Sequence, residues 1–199
     1  MSNTTVANAV FIMSTAPLWA ALASYVFLKK IVGTKTIIAI FGSMIGIGIM
    51  FSQGLQSANN FGNIIILGVP ICFAIQLTLI NRSPEIDFMP ATFLSGIFVF
   101  LLGIVFITDH SINSHDLFLV LFMGAFQVGL GFALITIGSR YIPPHRAALY
   151  ILLEPVLAPI WAWLGVGEVP QTIELIGGLV VFSFVTWRIV DQFIEAEKN

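Results

Sequence analysis

Apolar residues run along this chain in long blocks broken by short polar stretches. The blocks lack the alternation, in segments of about ten residues, that marks an outer-membrane barrel. Seven of them can be drawn: Thr5–Leu28, Thr36–Ser52, Asn63–Asn81, Pro90–Thr108, Leu117–Ser139, Ala147–Gly165 and Leu175–Trp187. Each approaches the roughly 20 residues with which a helix crosses about 30 Å of hydrocarbon, the last two falling slightly short. The pattern predicts an all-α, polytopic transmembrane bundle of seven helices.

Composition sharpens this. The chain of 199 residues is 58% hydrophobic and only 9% charged, and its mean hydropathy is +1.00. Soluble domains are about a quarter charged, so the soluble class is excluded. Cys72 is the single cysteine, which removes any disulfide framework. The first residues, MSNTT, carry no basic n-region of a cleavable signal peptide.

The loops predict orientation. Lys29, Lys30 and Lys35 lie between the first two blocks, Arg82 after the third, Arg140 and Arg146 around the turn between the fifth and sixth, and Arg188 and Lys198 after the seventh. The alternate loops hold Gln56, Asn59, Asn60, Asp109, His110, His115, Asp116, Glu168 and Glu174, with no Lys or Arg. By the positive-inside rule the basic side is cytoplasmic, so the C-terminus is expected inside and the N-terminus outside. Trp161, Trp163 and Trp187 fall near block ends, as interfacial aromatics do.

The sequence also echoes itself. "STAPLWAALASYVFLKK" (Ser14–Lys30) is similar to "LLEPVLAPIWAWLGVGE" (Leu152–Glu168), with Pro17 over Pro155 and Lys30 over Glu168. Further on, "IFGSMIGIG" (Ile40–Gly48) lies over "LIGGLVVFS" (Leu175–Ser183), with Gly42 over Gly177. Blocks one and two read as a second copy of blocks six and seven, one starting outside and the other inside. Oppositely oriented copies are a common construction of secondary transporters.

"RYIPPHRAALYILLEPVLAPIWAWLGVGEVP" (Arg140–Pro170), followed by "LIGGLVV" (Leu175–Val181), resembles the second half of an EamA-type transporter of the drug/metabolite transporter superfamily. Arg140, Pro143, Ala147, Glu154, Pro155, Gly167, Glu168 and Gly177 stand at the positions of its motif. "PLWAALASYVFLKK" resembles the first-half motif with Pro17 in place, although Lys29 and Lys30 stand where that motif usually ends in Gly-Glu. The resemblance implies ten helices in two inverted five-helix repeats, of which this chain holds the equivalents of helices four to ten. Residues 1–53 would be the last two helices of the first repeat, 54–62 an outer linker, 63–190 the second repeat and 191–199 a cytoplasmic tail. Three helices expected before residue 1 are absent, as a fragment, a late start or a natural seven-helix variant would each explain. The resemblance implies a bacterial inner-membrane protein that moves a small organic solute by alternating access. It leaves proton coupling and homodimerisation open.

Candidate site residues are few. Glu154 is the charged residue deepest in a block, about 12 Å along the helix from Arg146 at 1.5 Å per residue. An ionised side chain there costs on the order of 2.5–3.5 kcal/mol, so it either lines a wet path, meeting a cationic solute or a proton, or is neutral and holds helices together. Pro17, Pro155 and Pro159 remove backbone donors and mark kinks that serve as gates or as fixed bends. Gln76, Gln127 and Tyr150 line a cavity or bond between helices, and Asn8, Thr136 and Ser139 are further polar residues within blocks. Arg140 and Arg146 read as anchors at the cytoplasmic interface, with gate closure as the alternative. The "GSMIG" run (Gly42–Gly46) and Gly177–Gly178 suit close helix packing.

Other classes find no support. The three histidines are scattered and form no metal site, no catalytic constellation appears, and no cofactor is implied. The basic residues are too few and dispersed for nucleic acid. A light-driven retinal protein needs a lysine in its last helix, and Leu175–Trp187 has none; a seven-helix receptor would not explain the repeat.

Overall fold

The computed structural model of the protein describes residues 6–54, 60–106 and 113–197. Gln56, Asn59, Asp109, His110 and Lys198 lie outside the described residues. All regular structure among the described residues is helical: α1 (Val6–Met13), α2 (Ala16–Leu28), α3 (Thr34–Met50), α4 (Asn60–Arg82), α5 (Met89–Phe106), α6 (Ser114–Phe122), a π-helical stretch (Met123–Leu130), α7 (Gly131–Gly138), α8 (Pro144–Ile151), α9 (Leu153–Val166) and α10 (Thr172–Glu197). Five helical runs are long and apolar enough to cross a membrane, among them Val6–Leu28, Ser114–Gly138 and Pro144–Gly165; two shorter apolar helices, Thr34–Met50 and Met89–Val105, complete the seven predicted blocks.

One difference from the sequence expectation is informative. The last two spans are not short, for Pro144–Gly165 has 22 residues and Thr172–Glu195 has 24. α10 continues past the apolar block because Arg188, Asp191, Gln192 and Glu195 find polar partners on α3 and α8. The first span is broken at Ser14–Thr15, just before Pro17, one of the prolines that mark a kink in the sequence.

That break has a counterpart. Pro17 and Pro155 are 138 positions apart, and so are Met13 and Ile151, the C-terminal ends of α1 and α8, and Leu28 and Val166, the C-terminal ends of α2 and α9. Both runs then end on a left-handed residue, Lys29 (φ 53°) and Gly167 (φ 76°), again 138 apart. Glycine adopts that conformation freely, whereas lysine does so at a cost. The interruption, to within one residue, and the cap therefore coincide in the two spans.

Residues 1–78 and 143–199 pack as one compact unit, and residues 79–142 as another. In the first unit α3 and α10 run antiparallel. Lys35 meets Asp191, Thr36 meets Arg188, Gly42 faces Phe184, Gly46 faces Gly177 and Val181, and Gly177 faces Met50. A Cβ on Gly177 would lie 2.5 Å from the Gly46 carbonyl oxygen, and one on Gly46 would lie 2.8 Å from that of Gly177. Such backbone approach is how helices associate where lipid removes the hydrophobic drive and dispersion contacts must suffice. Ala39, Ile40, Ile47, Val181 and Val185 fill the seam, and Leu149 and Leu152 join the same buried cluster. α2 packs against α8 through small buried residues, Ala20, Ala23 and Ser24 on one helix and Ala147 and Ala148 on the other. Ser24 Oγ and His145 Nδ1 meet there at 3.4 Å.

In the second unit α5 and α7 are joined by Thr92 and Thr136, whose hydroxyls are 3.2 Å apart. Asn81 Nδ2 reaches the carbonyls of Ser139, Arg140 and Ile142 at 3.3, 3.4 and 3.0 Å, closing the turn after α7. Along Ser114–Gly138 only Thr136 is buried, and Phe118, Phe122 and Phe126 stack down one exposed face.

Candidate functional site

The interruption of the sixth span follows from its sequence. Pro155 has no N–H, so the Ile151 carbonyl loses its ordinary partner four residues on. α8 stops at Ile151, the Leu152 N–H turns back to the Leu149 carbonyl at 3.2 Å, and α9 restarts at Leu153. Glu154 thereby falls in the first turn of a new helix and is exposed. The free N–H groups and positive dipole end of α9 favour an acid at that position. α9 runs through Pro159 without ending.

The matching interruption is fitted out differently. Ser14 Oγ donates to the Phe11 carbonyl and Thr15 Oγ1 to the Ile12 carbonyl, both at 2.6 Å, and Trp19 Nε1 donates to Thr15 Oγ1 at 3.2 Å. Hydroxyls thus occupy carbonyls beside the first break. No hydroxyl residue lies in Ile151–Glu154, and the one nearby, on Tyr150, is directed elsewhere. Pro17 is buried and Pro155 half-buried.

Tyr150 Oη donates to Gln192 Oε1 at 2.8 Å, and Arg146 Nη1 donates to the same oxygen at 3.1 Å. Arg146 and Tyr150, four residues apart on one helix face, are brought together on α10. Gln192 escaped the sequence reading because it lies beyond the apolar block. The signal was the spacing of Arg188, Asp191, Gln192 and Glu195, which puts polar groups on one side of a continuing helix. Arg188 is buried, donating from Nε to Thr36 Oγ1 at 2.8 Å and pairing with Asp191 at 2.8 Å and Glu195 at 3.5 Å. Lys35 pairs with the same two acids at 2.6 and 3.1 Å.

In the second unit Arg140 pairs with Asp87 at 2.5 Å. The Met89 backbone N–H, followed by Arg140, holds the Asp87 carboxyl below its ordinary value of 3.8. Gln127 lies exposed within the π-helical stretch. Gln76 is half-buried on α4. Among the described residues no three metal-ligating side chains gather.

Residues 60–187 match the model of the EamA-like transporter family. The chain is also 24% identical, over 184 residues, to the uncharacterized transporter YdfC of Bacillus subtilis (strain 168). That alignment covers 89% of this chain and 60% of the relative, so the chain spans less than two thirds of the relative's length. No solved structure matches.

Proposed function

The chain belongs to the EamA-like transporter family, and from that premise we propose that it moves a small organic solute across a bacterial inner membrane by alternating access. Membership makes it a multi-pass membrane protein of a transporter family; solute, mechanism and orientation are our reading. The observation that carries the reading is the pair of spans interrupted at matching positions, Ser14–Thr15 and Leu152. Interrupted helices in corresponding places of two halves are where secondary transporters expose backbone groups to solute and coupling ion. Irregular backbone at such depth is tolerated where it lines protein or a wet cavity.

On this reading residues 1–53 close a first repeat, 63–190 form the second, the N-terminus faces outward and the C-terminus the cytoplasm. Glu154, exposed beside a break without hydroxyls, meets the cationic part of the solute or exchanges a proton with it. Gln76 and Gln127 are further candidates for contact with the solute, Pro17 and Pro155 set the hinges, and Pro159 adds a bend within α9. Tyr150 and Arg146 fasten α8 to α10.

The test uses the protein reconstituted in vesicles. A metabolite panel is screened for thermal stabilisation, and uptake of the strongest stabiliser is followed with and without a pH gradient. Gradient-driven uptake is expected, and Glu154→Gln is expected to uncouple it from the gradient. Unchanged gradient dependence in that variant rules out proton coupling through Glu154, and no uptake of any stabiliser contradicts the transport reading.

A further inference from the structure

Two nitrogen donors at the basic end of the first unit are buried with nothing to bond: Nε of Arg146 and Nε2 of Gln192. They belong to one cluster, since Arg146 Nη1 and Tyr150 Oη both donate to Gln192 Oε1. Those two bonds fix the amide, because turning it over would set its NH2 against the guanidinium. Gln192 Nε2 is therefore left without an acceptor for a structural reason. A buried donor in that condition costs stability, so an unpaired pair in one cluster calls for a missing acceptor.

Charge points the same way. Lys35 and Arg188 share Asp191 and Glu195, and Arg140 has Asp87. No carboxylate pairs with Arg146 among the described residues. Arg146 is thus left as a cation without a counter-ion among the described residues, next in sequence to buried His145.

We propose that Arg146 and Gln192 form a binding position for an oxyanion, a carboxylate or phosphate group, at the basic end of α8 and α10. A guanidinium edge beside an amide NH2 suits the paired oxygens of such a group. Both residues are only partly buried, so side-chain rotation opens the donors to an incoming anion. The position would attract the charge that Glu154 repels, and it stands independently of the transport reading.

Thermal unfolding of the purified full chain in neutral detergent tests this. Sodium phosphate is titrated against sodium chloride at equal ionic strength, and phosphatidylglycerol is added to the micelles in a separate arm. A saturable rise of the midpoint beyond the chloride effect is expected, and the arm that saturates identifies free anion or lipid headgroup as the source. Arg146→Gln is expected to weaken apparent affinity about tenfold or more, the loss of a charge-assisted hydrogen bond. Gln192→Glu supplies Arg146 with an internal carboxylate, so the midpoint without ligand is expected to hold while both responses disappear. No response in the unsubstituted chain, a response reproduced by chloride, or one that survives intact in Gln192→Glu overturns the proposal.

Discussion

The spans Val6–Leu28 and Pro144–Gly165 share their interruption and a left-handed cap, yet they are finished differently. The first break is closed by two hydroxyls on two carbonyls and sits over a buried proline. The second has no hydroxyl, an exposed acid and a half-buried proline. At the far end the strain is reversed, with lysine in the left-handed cap of the first span and glycine in that of the second. The two spans share a broken backbone and differ in side-chain chemistry. On the proposed transport reading the second break is the one that meets the solute, while hydroxyls close the first.

Both spans rely on the α3–α10 pair, so the comparison fails most completely if that seam is forced apart. Gly177→Leu sets a side chain against the Gly46 carbonyl and the Met50 backbone. The expected loss is more than about 3 kcal/mol, the upper end of ordinary overpacking, because backbone cannot yield as a side chain can. Detergent unfolding reads it. Arg188→Met leaves Thr36 Oγ1 without its donor and strips one cation from Asp191 and Glu195; a loss of about 1.5–3 kcal/mol is expected by the same measurement, as for hydrogen bonds to charged groups.

The breaks themselves are compared by smaller changes. Thr15→Val removes the hydroxyl bonded to Ile12 and Trp19, and should cost about 1 kcal/mol with transport retained. Lys29→Gly makes the first cap like the second and should raise stability by up to about 1 kcal/mol, since lysine in the left-handed region is strained. A loss in that variant would contradict the equivalence of the caps. The smallest effect is expected at Asp87, in the other unit. Its folded carboxyl lies below 3.8, so its contribution is present above that pH and fades as pH falls through the folded value. Asp87→Asn should lower the neutral midpoint slightly, leave the midpoint below the folded value unchanged, and flatten the acid unfolding curve between the two.

Much of this was legible in the residues. Long apolar blocks gave seven helices because a membrane span must satisfy its own backbone, which leaves few alternatives. Pro17 over Pro155 gave the matching spans, and Gly42, Gly46 and Gly177 gave the close seam. The place of the first break was visible as Pro17, but not the hydroxyls that close it, because Ser and Thr inside an apolar run read as ordinary helix until they are seen on Phe11 and Ile12. The length of α10 was missed for a similar reason. Hydropathy ends at Trp187, whereas the helix is prolonged by partners more than forty residues away in sequence, Lys35, Thr36, Arg146 and Tyr150. Of the candidate site, Glu154 and its proline were visible as an acid beside a helix breaker, but not the new helix start that accommodates the acid.

The most direct test of the account is sidedness, because antiparallel matching spans require their following loops to face opposite compartments. In a Cys72→Ser background, Gly33→Cys and Glu168→Cys each place one thiol in an exposed loop, after α2 and after α9. A membrane-impermeant maleimide applied to intact spheroplasts should label Glu168→Cys at once and Gly33→Cys only after permeabilisation. Labelling of both from the same side would contradict the inverted pair, and with it the reading of Glu154 as the acid at the heart of a transport path.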